Sequence, residues 1–233
     1  MSHLGHRAIR YTDVAMGSRF QIPAGAALRV SSMSGSVSVI AEDRADLEID
    51  PPDRHVELLD GGRLVEIKSR SSRLEVRCPI GTDVSVGAMS GHVRLAGQFG
   101  SVKVAGISGR IEVDSASGDV DVRSVSGSLY VNTCGGRCQL NTKSGSVHIG
   151  RVEKAARIST ISGSVELGTA GQEDIEIRSV SGRITVRVPE GRHPRARLRT
   201  LSGRLRCDCP QGSDFEIKAS TISASVEVTS EAP

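Results

Sequence analysis

The sequence predicts an all-β chain wound as a single-domain parallel β-solenoid of the β-helix or β-roll kind, with about 18–21 residues per coil. Three observations predict it. Glycine recurs every nine residues, at Gly91, Gly100, Gly109, Gly118, Gly127, Gly136 and Gly145. Most of these glycines open a short run in which apolar and polar residues alternate. The apolar content is mostly Val, Ile, Leu and Ala, with no Trp and only 2 Tyr and 3 Phe in 233 residues. That mix suits a narrow core of small, branched side chains.

Taken in chain order, residues 1–20 read as an N-terminal cap or strand, and residues 21–90 as irregular coils. Val56-Glu57-Leu58-Leu59 and Leu64-Val65-Glu66-Ile67 flank Asp60-Gly61-Gly62, which predicts a hairpin. The nine-residue phase is broken across 55–80, so this N-terminal region is expected to cap the solenoid. Residues 91–228 carry the regular repeats. Lys154 takes one glycine place, Gly163 restores the phase, Gly182 and Gly203 follow at wider steps, and Ala224 stands in the last unit. No low-complexity linker divides the chain, so one domain is expected over 1–233.

Within the repeat, Ser108-Gly109-Arg110-Ile111-Glu112-Val113 is typical, and Ser126-Gly127-Ser128-Leu129-Tyr130-Val131 follows the same rule. Alternation marks a strand with one buried face. Ser-Gly supplies the turn, since glycine accepts a positive φ and lets backbones stack closely. One nine-residue unit cannot bury its apolar face alone, so two units form a coil and stacked coils bury a strip. Coils ~4.8 Å apart, ten or so in number, would give a rod of roughly 50 Å. Two ladders of outward residues are expected in register: Arg94, Glu112, Tyr130, His148 and Glu166 on one face, and Lys103, Asp121, Gln139 and Arg157 on the other. Like charges are kept apart in both, as stacked strands require.

A second motif precedes some Ser-Gly units. It reads Ile22-Pro23-Ala24-Gly25, Cys78-Pro79-Ile80-Gly81, Val188-Pro189-Glu190-Gly191 and Cys209-Pro210-Gln211-Gly212. Pro and Gly two residues apart mark a sharp corner. The pairing of Pro-x-Gly with Ser-Gly-x-Val-x-Val resembles the bacterial putative-adhesin, or toastrack, β-solenoid family over roughly residues 20–230. That resemblance implies a solenoid with no set of catalytic residues, often fused to membrane segments and linked to cell-envelope stress systems.

The formal charge of +3 is too small to imply nucleic-acid binding. His3, His6, Arg7 and Arg10 interrupt any N-terminal apolar run, and no stretch of about 18 apolar residues exists. The expectation from sequence is a cytoplasmic chain without a transmembrane segment, with peripheral envelope association as the alternative. Metal, cofactor and catalytic residues are expected to be absent. Cys134 and Cys138 are four apart and Cys207 and Cys209 two apart, neither of which is a zinc or thioredoxin spacing. Cys134 is placed in register with Ile107, Val125 and Ile161, and all five cysteines, Cys78 included, are expected in the core as small hydrophobes. Only Gly118-Asp119-Val120-Asp121 resembles a calcium roll, which needs oxygen ligands in every coil. His92 and His148 are read as solvated outward residues.

One charge cluster stands out. Arg183, Arg187, Arg192, Arg195, Arg197, Arg199, Arg204 and Arg206 lie close in sequence, with Glu190 the only acid among them. Alternation puts Arg195, Arg197 and Arg199 on one face. A basic face of this kind suits an acidic partner, or it is a solvated stripe balanced by Glu176, Asp214 and Glu216. The functional reading is a non-enzymatic binding or scaffolding module that presents a rigid charged surface to a protein partner. The alternatives are a self-assembling, adhesin-like protein that stacks through its solenoid ends and a polysaccharide-active β-helix enzyme. Ser225-Val226-Glu227-Val228 is expected to form the last unit, its acid and Pro233 partly blocking that end.

Overall fold

A computed structural model describes residues 9–11, 18–23, 25–52, 54–70 and 73–231. Two parallel faces enclose the core. The front face runs β7 (Leu64–Ser69), β3 (Ala27–Ser32), β9 (Asp83–Ser90), β11 (Val102–Ser108), β13 (Val120–Ser126), β15 (Cys138–Ser144) and β17 (Ala156–Ser162). It ends with the first halves of β19 (Ile175–Pro189) and β22 (Glu216–Glu231) and then β20 (Arg195–Thr200).

The back face runs β8 (Leu74–Pro79), β4 (Val37–Glu42), β10 (Val93–Phe99), β12 (Ile111–Ala116), β14 (Leu129–Cys134), β16 (Val147–Val152) and β18 (Val165–Thr169). The second halves of β19 and β22 and then β21 (Leu205–Cys207) complete it. The expected all-β solenoid is what forms, two strands to a coil. Both outward ladders are in register, with Arg94 beside Glu112 and Lys103 beside Asp121.

The alternating apolar residues fill one continuous core from Phe20 to Val228. Phe99 is its largest fully buried side chain. The turn glycines explain the repeat. Gly91, Gly109, Gly127, Gly145, Gly163 and Gly182 all have φ between +122° and +135°. A Cβ there would lie 1.8–1.9 Å from the carbonyl oxygen of the glycine one rung away. Most front strands also bury a hydroxyl before the turn, whereas β9 and β11 have Ala88 and Gly106 there. Ser124 Oγ donates to Ser126 O at 3.2 Å, and Thr142 and Thr160 repeat the bond to Ser144 and Ser162. The turn serine then ties rungs together, as Ser126 Oγ donates to Ile107 O at 3.3 Å.

The rung order departs from sequence order at both ends. β7 and β8 lie outside β3 and β4, although they follow them in the chain. β22 lies between β19 and the β20–β21 rung. The final unit is therefore an interior rung, which corrects the expectation that Ser225–Val228 forms and blocks the end. The Pro-x-Gly motif stands before each strand where this happens: β3, β9, β20 and β22. In the first three copies the proline carbonyl accepts from the amide three residues on, as in Thr82 N–H to Pro79 O at 3.3 Å, and the glycine has φ of +77° to +79°. That is a tight turn whose third place calls for glycine. In the fourth copy Gly212 instead donates to Pro194 O at 3.1 Å.

The hairpin expected near 56–67 is present, as β6 (His55–Leu59) pairs antiparallel with β7. β1 (Ile9–Tyr11) adds to β6, so the front face is capped antiparallel. On the back face β5 (Asp46–Asp50) pairs antiparallel with β8, and β2 (Ser18–Gln21) with β5. Arg44 fastens this cap through Asp46 at 2.8 Å and Glu48 at 2.9 Å. No helix among the described residues is long and apolar enough to cross a membrane.

Candidate interaction surfaces

The arginines divide by place. Arg195, Arg197 and Arg199 share the front of the last rung, as alternation predicts. Arg204 stands at its turn and Arg206 on its back. Arg183 lies at the turn of β19, and Arg187 on its back face reaches Glu166 at 3.7 Å. The cluster is therefore not one face but a belt around the end of the solenoid. Of the acids expected to balance it, Glu216 alone does so, holding Arg197 at 2.7 Å, while Arg206 is met by Asp208 at 2.6 Å and Glu227 at 3.8 Å, which were not among those expected. Glu176 instead binds Arg157 and Arg178, and Asp214 accepts the His193 amide at 2.9 Å. Among the described residues, Arg195, Arg199 and Arg204 form no ion pair.

A second surface escaped the sequence reading. Met33, Met89, Ile107 and Val125 are stacked along the front edge, followed beyond Lys143 by Ile161, Val180, Ile222 and Leu201. The eight apolar side chains are 41–84% exposed. Their flanking residues are registered rung by rung, for example Gly106 with Ser124 and Ser108 with Ser126. This corrects the placement of Ile107, Val125 and Ile161 with Cys134. Front strands keep strict alternation up to the turn, so Ser124 faces in and Val125 out. Back strands bend after their second core residue, which turns Ala116, Cys134 and Val152 inward in register with one another. The signal available in sequence was parity within each strand rather than distance to the glycine.

Shallow depressions lie on these faces. One on the front, about 580 Å³, lies where Gly87, Ala88, Ala105 and Gly106 leave the sheet bare beside Met89 and Ile107. One on the back, about 410 Å³, is lined by Arg94, Glu112, Asp114, Tyr130, Asn132 and His148. Arg110 lies 5.1 Å over the Tyr130 ring, and His148 Nδ1 is 3.1 Å from Glu166. These are ladder contacts on an open face. Among the described residues no three His, Cys, Asp or Glu are grouped to hold a metal.

Cys78, Cys134, Cys138 and Cys209 are buried as expected, but Cys207 is exposed. Its inward parity is right, yet it lies on the last rung, where no further coil of the described residues covers it. Cys207 Sγ is 3.3 Å from Cys209 Sγ and accepts from Gln211 Nε2 at 2.9 Å. Contact with Cys134 and burial push the Cys138 thiol well up, and burial pushes Cys78 up to about 11. These thiols pack as apolar groups.

Among solved structures, the chain is similar to a putative adhesin from Bacteroides fragilis, at 12% identity and a TM-score of 0.52, covering 92% of this chain and 96% of that one. A putative cell adhesion protein from Clostridium sporogenes aligns at 7% identity with a TM-score of 0.26, covering 93% and 99%. No curated protein matches. At such identity the first likeness concerns the fold. The Toastrack DUF4097 family profile matches residues 20–232, and the chain belongs to that family.

Proposed function

We propose that this domain is a non-enzymatic binding module whose rigid front edge docks a protein partner. The observation that carries the reading is the exposed apolar ladder from Met33 to Leu201. Isolated exposed hydrophobes are ordinary, but a line of eight along one edge, broken once by Lys143, marks an interaction surface. Its backbone is held by serine bonds between rungs, so little order is lost on docking. The B. fragilis protein is described as a putative adhesin, and binding is the part of that description that the ladder supports. The ionisable groups of the back face are spread along an open ladder rather than gathered in a cleft, as general acid–base chemistry would need.

A photo-crosslinking residue at position 125, compared with one at Asn132 on the back face, tests this in cells. Position 125 is expected to trap a discrete protein that position 132 does not. With that protein purified, Ile107→Ser/Val125→Ser/Ile161→Ser should weaken binding at least tenfold, since one buried aliphatic side chain is worth about 1.5–3 kcal/mol. The melting temperature should stay unchanged. Equal trapping from both faces, or unchanged affinity, would remove the ladder as the docking surface.

A further inference from the structure

The last rung in space is an open strand edge. β20 and β21 pair with β22 on one side, and among the described residues no strand pairs with the other. The opposite end of the solenoid is capped by the antiparallel additions of β6 and β1 and of β5 and β2. The outermost described strands there are three and four residues long, so the six-residue β20 is the longer edge for a further strand.

That edge has a definite chemistry. The Arg195 amide donates to Phe215 O at 2.8 Å, toward β22. The Ala196 amide points the other way and is met by the Gln211 side chain at 3.1 Å. By strand alternation the amides of Leu198 and Thr200 share the Ala196 direction. Side chains alternate too, with Arg195, Arg197 and Arg199 outward and Ala196 and Leu198 toward the core. Leu198 is half-buried, and Leu205 is 45% exposed, because no further rung covers them.

We propose that this edge binds an extended acidic segment, which adds as one more rung through main-chain hydrogen bonds. The inference rests on the binding-module reading and names a second site and its ligand. The segment would alternate acidic and apolar residues: acids beside Arg195, Arg197 and Arg199, apolar side chains over Ala196, Leu198 and Leu205. Strand addition to an exposed edge draws affinity from the backbone and specificity from alternate side chains. Charge selects against a second copy of the same edge, since rung-to-rung pairing would set arginine opposite arginine. Head-to-tail stacking would have to use β1 and β2, which are three and four residues long, too short to template a full rung.

The test uses the full chain and a fluorescein-labelled peptide of alternating Glu and Val with Ser-Gly ends, against the same peptide with Lys for Glu. The Glu peptide is expected to bind, to bind more weakly as salt rises, and to slow amide exchange several-fold across 196–200. Arg195→Glu/Arg199→Glu should weaken it at least tenfold and reverse the preference to the Lys peptide. Leu198→Pro removes an edge amide, leaves every arginine, and should weaken it about as much with little change in melting. Gln211→Ala should tighten it by freeing the Ala196 amide. Absence of binding at low salt overturns the proposal. Unchanged affinity in Leu198→Pro overturns it too, reducing the edge to a charge patch. Association of the wild-type protein with itself through 195–207 would name a second copy as the occupant instead. If the peptide fails while position 125 still traps its partner, the edge site alone is lost.

Discussion

Gly127 shares with Gly109 and Gly145 the tightest backbone approach among the described glycines. It holds φ +128°, and a Cβ would stand 1.8 Å from Gly109 O. Neither backbone can withdraw, because both belong to rungs packed on each side. Gly127→Ala is therefore expected to cost more than about 4 kcal/mol, in the range reserved for severe core damage. Gly118→Ala should cost less, since its φ is ordinary and its nearest contact is the movable Ser101 Oγ at 2.7 Å. Urea unfolding of the two variants compares them, and equal losses would refute the distinction. The same contrast divides the nine-residue repeat into two alternating series. Gly91, Gly109, Gly127, Gly145 and Gly163 have a positive φ, whereas Gly100, Gly118 and Gly136 do not, so Lys154 is tolerated in the second series. Glycine spacing was thus legible in the sequence. The direction of Val125 was legible too, but only from strand parity, and counting back from glycine hid it.

At the scale of elements, rung order is decided by Pro-x-Gly. Steps between consecutive rungs carry no proline, as in Gly100-Ser101 between Phe99 and Val102 and Gly135-Gly136-Arg137 between Cys134 and Cys138. The steps from β8 to β9, from β19 to β20 and from β21 to β22 do not follow rung order, and each carries Pro-x-Gly. The result locks β3 and β22 between neighbours, so the outermost described parallel strands do not come from the ends of the repeat and cannot fray from a terminus. Two deletions separate this arrangement from a simple stack. Removing 216–233 takes away the only described strand partner of β20 and β21, and amide exchange across 195–207 should become fast while 102–162 stays protected. Replacing 191–215 with a short Gly-Ser loop instead joins β19 to the rung it already touches. That chain should melt within a few degrees of the parent and lose binding of the acidic peptide. The reverse pattern would mean that residues 195–207 nucleate this end.

The rod is capped by short antiparallel strands at one end and charged at the other. The arginine belt has two roles on this view: it receives an acidic strand and it keeps copies apart, as charged side chains on exposed edges do. The protein should therefore run as a monomer over a tenfold concentration range in light scattering. With Arg195, Arg197, Arg199 and Arg204 changed to Ser it should associate as concentration rises. A variant that stays monomeric would show that the loop carrying Gln211, not charge, guards the edge.

Much about this rod follows from sequence alone: the all-β class, two strands per coil, the register of both charged ladders, the hairpin before β7 and the toastrack resemblance. These are local properties, set by a strand period of two, by glycine in a left-handed turn and by like charges avoiding one another. Tertiary structure alone decided which strand lies outermost. Parallel rungs are alike in their core residues, so Val226 fits beside Ile184 as well as at an end, and nothing in the local pattern ranks those places. The order of rungs is a long-range choice, and it moved the arginines from one face to an open edge and left Cys207 uncovered.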